Sequence, residues 1–106
     1  MKFSISEKYT LISVEESTFY ELEKQLVNFK SNHVIIELSE NVNINDEKIS
    51  LFLNISSDFK TNGMSFVVVK SGIDIDNFSE SLNIAPTLQE AEDILEMEAI
   101  ERDLGF

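Results

Sequence analysis

Polar and apolar residues alternate at the start of the chain. Phe3 and Ile5 fall on one side of residues 2–6, and Leu11, Ile12 and Val14 mark a second extended segment over residues 9–14. Glu7 and Lys8 lie between them, so the pattern predicts a β-hairpin with a short polar turn. The period then changes. Phe19, Leu22, Leu26 and Phe29 recur at helical spacing on one face. Ser17 or Thr18 precedes this stretch, Thr18 with Glu21 three residues on has the form of a capping box, and Ser31 and Asn32 end the helix.

Two runs carry no alternation at all. HVIIEL (33–38) and MSFVVV (64–69) are nearly continuous in branched apolar residues, which suits strands covered on both faces. Between them lies DEKISLFLNISSDFKTN, with Ile49, Phe52, Ile55 or Ser56, and Phe59 on one helical face and Leu53 beside it. Asp46 and Glu47 in its first turn complement the helix dipole. Asn62-Gly63 is a stop signal. After Gly72 a loop is expected, with a short helical turn around Phe78 and Leu82. IAP (84–86) reads as a short edge strand, because Pro86 cannot donate to a ladder. Thr87, with Glu90 three residues on, caps a last helix through LQEAEDILEMEAIERDL, with Leu88, Ala91, Ile94 and Leu95 toward the core. A helix between consecutive central strands implies parallel pairing. The expected fold is therefore a single α/β domain, a mixed sheet of four or five strands with packed helices.

Composition narrows the functions. Of 106 residues, 20 are acidic and eight basic, for a net charge of −12. Residues 71–106 hold ten of the acids and only Arg102 as a base, a net of −9. Such a chain has no cationic stripe for a phosphate backbone or an anionic lipid surface, so neither nucleic acid nor membrane is an expected partner. A basic protein partner fits, and solubility alone also accounts for the charge. No apolar run approaches the roughly 20 residues of a membrane span, and residues 1–10 lack the apolar stretch of a secretion signal. A cytoplasmic location is the expectation.

The residues give little support to catalysis. There is no cysteine and a single histidine, His33, so thiolate sites and paired-imidazole metal sites are excluded. Residues 74–79 resemble a calcium loop only faintly, since Phe78 stands where an oxygen ligand belongs and Ser79 where the turn glycine belongs. Gly63, Gly72 and Gly105 are too far apart for a phosphate-binding fingerprint. No serine lies in a nucleophile elbow. Asn54-Ile-Ser56 and Asn77-Phe-Ser79 match the glycosylation pattern, but without a secretion signal they are chance matches. No metal or cofactor is expected, and the chain is not expected to be an enzyme.

The stretch HVIIELSENVNINDEKISLFLNISSDFKTNGMSFVVVK resembles the STAS family, the anti-sigma factor antagonist-like domains. That family has a buried strand, a polar loop ending in an Asp-Ser-Ser-Gly-like motif, a helix and another buried strand. TLQEAEDIL is similar to the family's final helix, and the likeness spans about residues 3–95. In the family the first serine of the motif is phosphorylated by a partner kinase, and this controls binding. On this chain Asn45 takes the place of the Asp, Asp46 that of the phosphoacceptor serine, Glu47 that of the second serine and Lys48 that of the glycine. No hydroxyl remains at the switch. Asp46 either mimics the phosphorylated state, with less charge than a phosphoserine, or is a plain helix-start residue. The second reading is the simpler, because acidic residues are ordinary in first turns.

The resemblance implies a STAS-like interaction or regulatory domain over residues 1–96. Its protein partner would be a kinase-like regulator or a neighbouring enzyme. Open α/β sheets place ligands at the carboxyl ends of strands. The candidate partner-binding residues there are Asn43, Asn45, Asp46 and Glu47. Short STAS-like chains are also sometimes associated with ribonuclease Z, the tRNA 3′-processing nuclease. One histidine cannot supply that enzyme's metal ligands, which leaves an accessory role as the alternative, with small-ligand binding as a third. Residues 97–106 form an acidic extension in which Met97, Ile100 and Leu104 keep helical spacing. They are candidates to pack back on the domain, to join two copies as a homodimer, or to meet another protein. A frayed end is the plain alternative.

Overall fold

The two apolar runs lie side by side at the centre of one sheet. The computed structural model describes residues 1–29, 31–73 and 82–105. Among them are five strands, β1 (Lys2–Ile5), β2 (Thr10–Val14), β3 (Val34–Leu38), β4 (Phe66–Lys70) and β5 (Ile84–Ala85), and three α-helices, α1 (Leu22–Leu26), α2 (Asp46–Thr61) and α3 (Leu88–Asp103). The strand order is β1-β2-β3-β4-β5. β1 is antiparallel to β2, and the other neighbours are parallel, with Ile36 opposite Ile12 on one side and Val68 on the other. The chain is thus a small α/β domain with a mixed sheet. No helix among the described residues is long and apolar enough to cross a membrane. The calcium-like stretch, the turn at Phe78, the second glycosylation match, Lys30 and Phe106 lie outside the described residues.

A strand order that never reverses sends every right-handed crossover over the same face. Accordingly α1 and α2 share one cluster, in which Leu22, Leu26, Phe52, Ile55 and Phe59 pack against Ile12, Val34, Ile36, Phe66 and Val68. Phe52 sits edge-on to Phe19 at 5.5 Å between ring centroids and meets Phe66 at 6.2 Å. The opposite face holds a smaller cluster of Ile35, Val67, Val69 and Ala85, covered by Ala91 of α3. Alternate residues of β3 and β4 therefore enter different clusters, which is why Val34–Ile36 and Phe66–Val69 are apolar without alternation.

Element ends follow local chemistry, with one departure. Thr87 caps α3 as expected, its hydroxyl accepting the Glu90 N–H at 3.2 Å. α2 ends where Gly63 takes φ +74°, and the Met64 N–H reaches back to the Phe59 carbonyl at 2.8 Å. The first helical segment starts earlier than its Thr18/Glu21 pattern predicts. Residues Glu16–Glu21 form a 3-10 turn, and the Thr18 hydroxyl accepts the Glu15 N–H at 3.2 Å. Thr18 closes that turn from inside, leaving only Leu22–Leu26 as α-helix before a second 3-10 turn at Val27–Phe29.

β1 is exposed along its length. Phe3 and Ile5 do share a side, but only Phe3 finds an aromatic partner, stacking on Phe29 at 5.7 Å. α3 continues unbroken to Asp103, so the division expected after residue 96 falls inside it. Its inward side stays tied to the sheet along its length. Tyr9 donates to Glu92 at 3.2 Å, Asn83 to Glu98 at 2.8 Å and Arg102 to the Ser65 hydroxyl at 3.1 Å.

Candidate functional site

β2, β3 and β4 run in parallel, so the loops that follow them gather at one edge. Val14 leads into the 3-10 turn, Leu38 into residues 39–45, and Lys70 into residues 71–73. Lys70 donates to the Glu40 carbonyl at 2.8 Å and the Ser39 carbonyl at 3.3 Å, which ties the ends of β3 and β4 together. Beside it lies an open cleft of about 520 Å³ between residues 40–44 and 70–73. A second, of about 410 Å³, lies over the ends of β2 and β3 and includes Lys2, Glu15, Glu37 and Glu40.

The edge is organised from beneath by Lys48. This residue is only 1% exposed. Its ammonium donates to Glu16 Oε1 at 2.7 Å, to Glu16 Oε2 at 2.5 Å and to the Asn43 carbonyl at 2.8 Å, and it lies 4.9 Å from the Phe19 ring centre. Three donors meet three acceptors, the arrangement a buried ammonium requires. The Lys48 hydrogen bond holds the Glu16 carboxyl below its ordinary range; desolvation opposes it, and the Asn43 N–H and the lysine's charge add smaller lowering effects. Lys48 thus joins the turn after β2, the loop after β3 and the first turn of α2.

Each sequence-predicted residue can be placed around this clamp. Asn43 is exposed at its side chain but committed at its backbone. Its carbonyl accepts from Lys48 and its N–H donates to Glu16 at 3.4 Å. Asn45 caps α2, accepting the Lys48 N–H at 2.9 Å. Asp46 and Glu47 are exposed, and among the described residues their side chains accept no hydrogen bond. Those four residues therefore form one continuous rim. Met97, Ile100 and Leu104 lie elsewhere, on the outward side of α3 across the sheet.

Sequence reasoning missed Lys48, although its position carried a signal. Lys48, Phe52, Ile55 and Phe59 fall on one helical face, and all four are buried. A reading that counts only apolar residues starts this face at Ile49, which is half-buried.

Two exposed carboxylates in the capped first turn of α2 can receive ammonium, guanidinium or N–H groups of a partner. His33, the single histidine, precedes β3 and so lies about 16 Å from this edge at the usual rise per strand residue. Its Nδ1 accepts the Ser65 N–H at 2.9 Å, which places the proton on Nε2. Burial pushes its pKa down, the Arg102 charge pushes the same way, and Glu98 opposes them. Tyr9, on the α3 side, is raised by burial, by its hydrogen bond to Glu92 and by the charges of Glu92 and Glu37. No protein-family model matches the chain, and no curated protein sequence matches it.

Proposed function

We propose that this chain is a non-catalytic, cytoplasmic protein–protein interaction module of STAS-like type that works without a serine switch. The observation that carries the reading is the clamped acidic rim. Asp46 and Glu47 project from the first turn of α2, where the preceding loop's backbone is held by Lys48, Glu16 and the Asn45 cap. A rim ordered before binding loses little conformational entropy on docking. The parallel β3–loop–α2–β4 unit supports the family reading, since it gives the polar loop and the helix start the placement that the resemblance implies. In the alignment that the resemblance implies, Asp46 takes the phosphoacceptor position, and its side chain lies in solvent. Residue 46 offers no hydroxyl to phosphorylate, so docking would be set by partner supply rather than by phosphorylation.

The test compares tagged wild type with Asp46→Lys, purified from the native cell under identical conditions. One protein should be recovered stoichiometrically with wild type and lost with Asp46→Lys, while Asp46→Asn gives intermediate recovery. Equal recovery with all three would remove the rim from the interface. Phosphate found quantitatively on Ser39 or Ser50 in cells would restore a switch and contradict docking set by partner supply.

A further inference from the structure

α3 carries apolar residues on two sides. Leu88, Ala91, Ile94 and Leu95 turn toward the sheet. Met97, Ile100 and Leu104 turn away from it and are 61%, 59% and 66% exposed. Their spacing of three and four residues makes one stripe about 10 Å long. Carboxylates border it on both sides, Glu101 on one flank and Glu96 and Asp103 on the other. Arg102, the single cation of α3, is directed inward to Ser65 and does not neutralise that border.

We propose that this outer face of α3 docks a basic amphipathic helix of another protein, with apolar residues on the stripe and Lys or Arg against both acidic flanks. The charge pattern selects this occupant over a second copy of the chain. Two α3 helices packed stripe to stripe would set carboxylates against carboxylates, whereas a basic helix places opposite charges along both borders. The stripe supplies the apolar contact and the flanks fix which helices fit, the division seen when helices lie in grooves. This surface shares no residue with the rim at Asp46, so the two proposals stand or fall separately.

The probe is a synthetic 18-residue peptide of Leu and Lys, arranged as an amphipathic helix, with a scrambled peptide of the same composition as control. Isothermal titration should give a 1:1 complex with wild type, at least tenfold tighter for the ordered peptide than for the scrambled one. M97Q/I100Q/L104Q leaves the charge unchanged and should weaken binding at least tenfold. E96Q/E101Q/D103N should also weaken it and flatten its salt dependence. Backbone amide shifts of wild type on titration should change most along residues 96–104, a readout that needs no variant to fold. Absence of binding, equal affinity for the scrambled peptide, or shifts centred elsewhere would overturn the proposal. So would sedimentation showing a wild-type dimer that M97Q/I100Q/L104Q abolishes, because a second copy would then be the occupant.

Discussion

α2 and α3 have the same length, 16 residues, and each starts with a side chain accepting an N–H of its first turn. They use their apolar residues differently. α2 buries Phe52, Ile55 and Phe59 on one side, together with Lys48, and closes the larger core cluster. α3 buries only Ala91 fully and leaves Met97 and Ile100, with the C-cap Leu104, in solvent. An amphipathic stripe facing the core is what a domain needs from a surface helix. α2 meets that need and little more. α3 meets it with small and half-buried contacts and has an apolar side to spare, which a fold does not require.

The comparison is broken most readily at α2. Phe52→Ala removes a fully buried ring between Phe19 and Phe66 and should destabilise the domain by about 3–5 kcal/mol in urea denaturation. A loss below about 1 kcal/mol would show that α2 does not carry the core.

The Lys48 clamp gives the next largest effect, and the two partners should respond unequally. Glu16→Ala leaves a buried ammonium without its carboxylate, whereas Lys48→Met leaves an apolar chain in place and frees Glu16 toward water. Breaking a buried pair from the exposed side costs more than replacing the buried charge with an apolar group. The melting temperature should therefore fall further for Glu16→Ala than for Lys48→Met. The reverse order would mean that Lys48 is not desolvated in solution.

Capping should make the two helices alike. Asn45→Ala and Thr87→Ala each remove one acceptor of an N–H in the first turn and should each cost about 1 kcal/mol, measured by the same denaturation. A much larger loss for Asn45→Ala would show that the cap also supports the Lys48 clamp.

A smaller effect belongs to pH at the inner side of α3. The folded-state pKa of His33 is depressed by burial and by Arg102. The unfolded chain therefore takes up a proton first as pH falls below about 6.5, the ordinary histidine value. The His33 contribution to stability is complete above that pH and is lost as pH falls toward the lowered folded value. Protonation of Nδ1 also breaks its bond from the Ser65 N–H. Chemical denaturation between pH 7.5 and 5.5 should show a decline that His33→Asn reduces. An identical decline in the variant would assign it to carboxylates instead.

Much of this architecture was legible along the chain, for identifiable reasons. Val34 to Ile36 and Phe66 to Val69 alternate between two buried faces, so the absence of polar alternation announced central strands. Thr87 announced α3 because its hydroxyl, three residues before Glu90, has one obvious use. The first helix was harder to read. Thr18 bonds backward to Glu15 and a 3-10 turn occupies most of the expected first turns, a choice that hydrophobic spacing does not register. The candidate rim was chosen for its place after a central strand, and that choice did not include what holds its backbone. A lysine on the buried side of α2 looks like a break in the pattern until Glu16, 32 residues away in sequence, is brought against it by the fold.

The division of labour between the two helices is tested most directly by the equilibrium stability of M97Q/I100Q/L104Q. Exposed positions that touch no core should tolerate glutamine, a good helix former, so unfolding free energy should stay within about 0.5 kcal/mol of wild type. A loss of 2 kcal/mol or more would place the stripe in the structural core and leave α3 with no side to offer a partner.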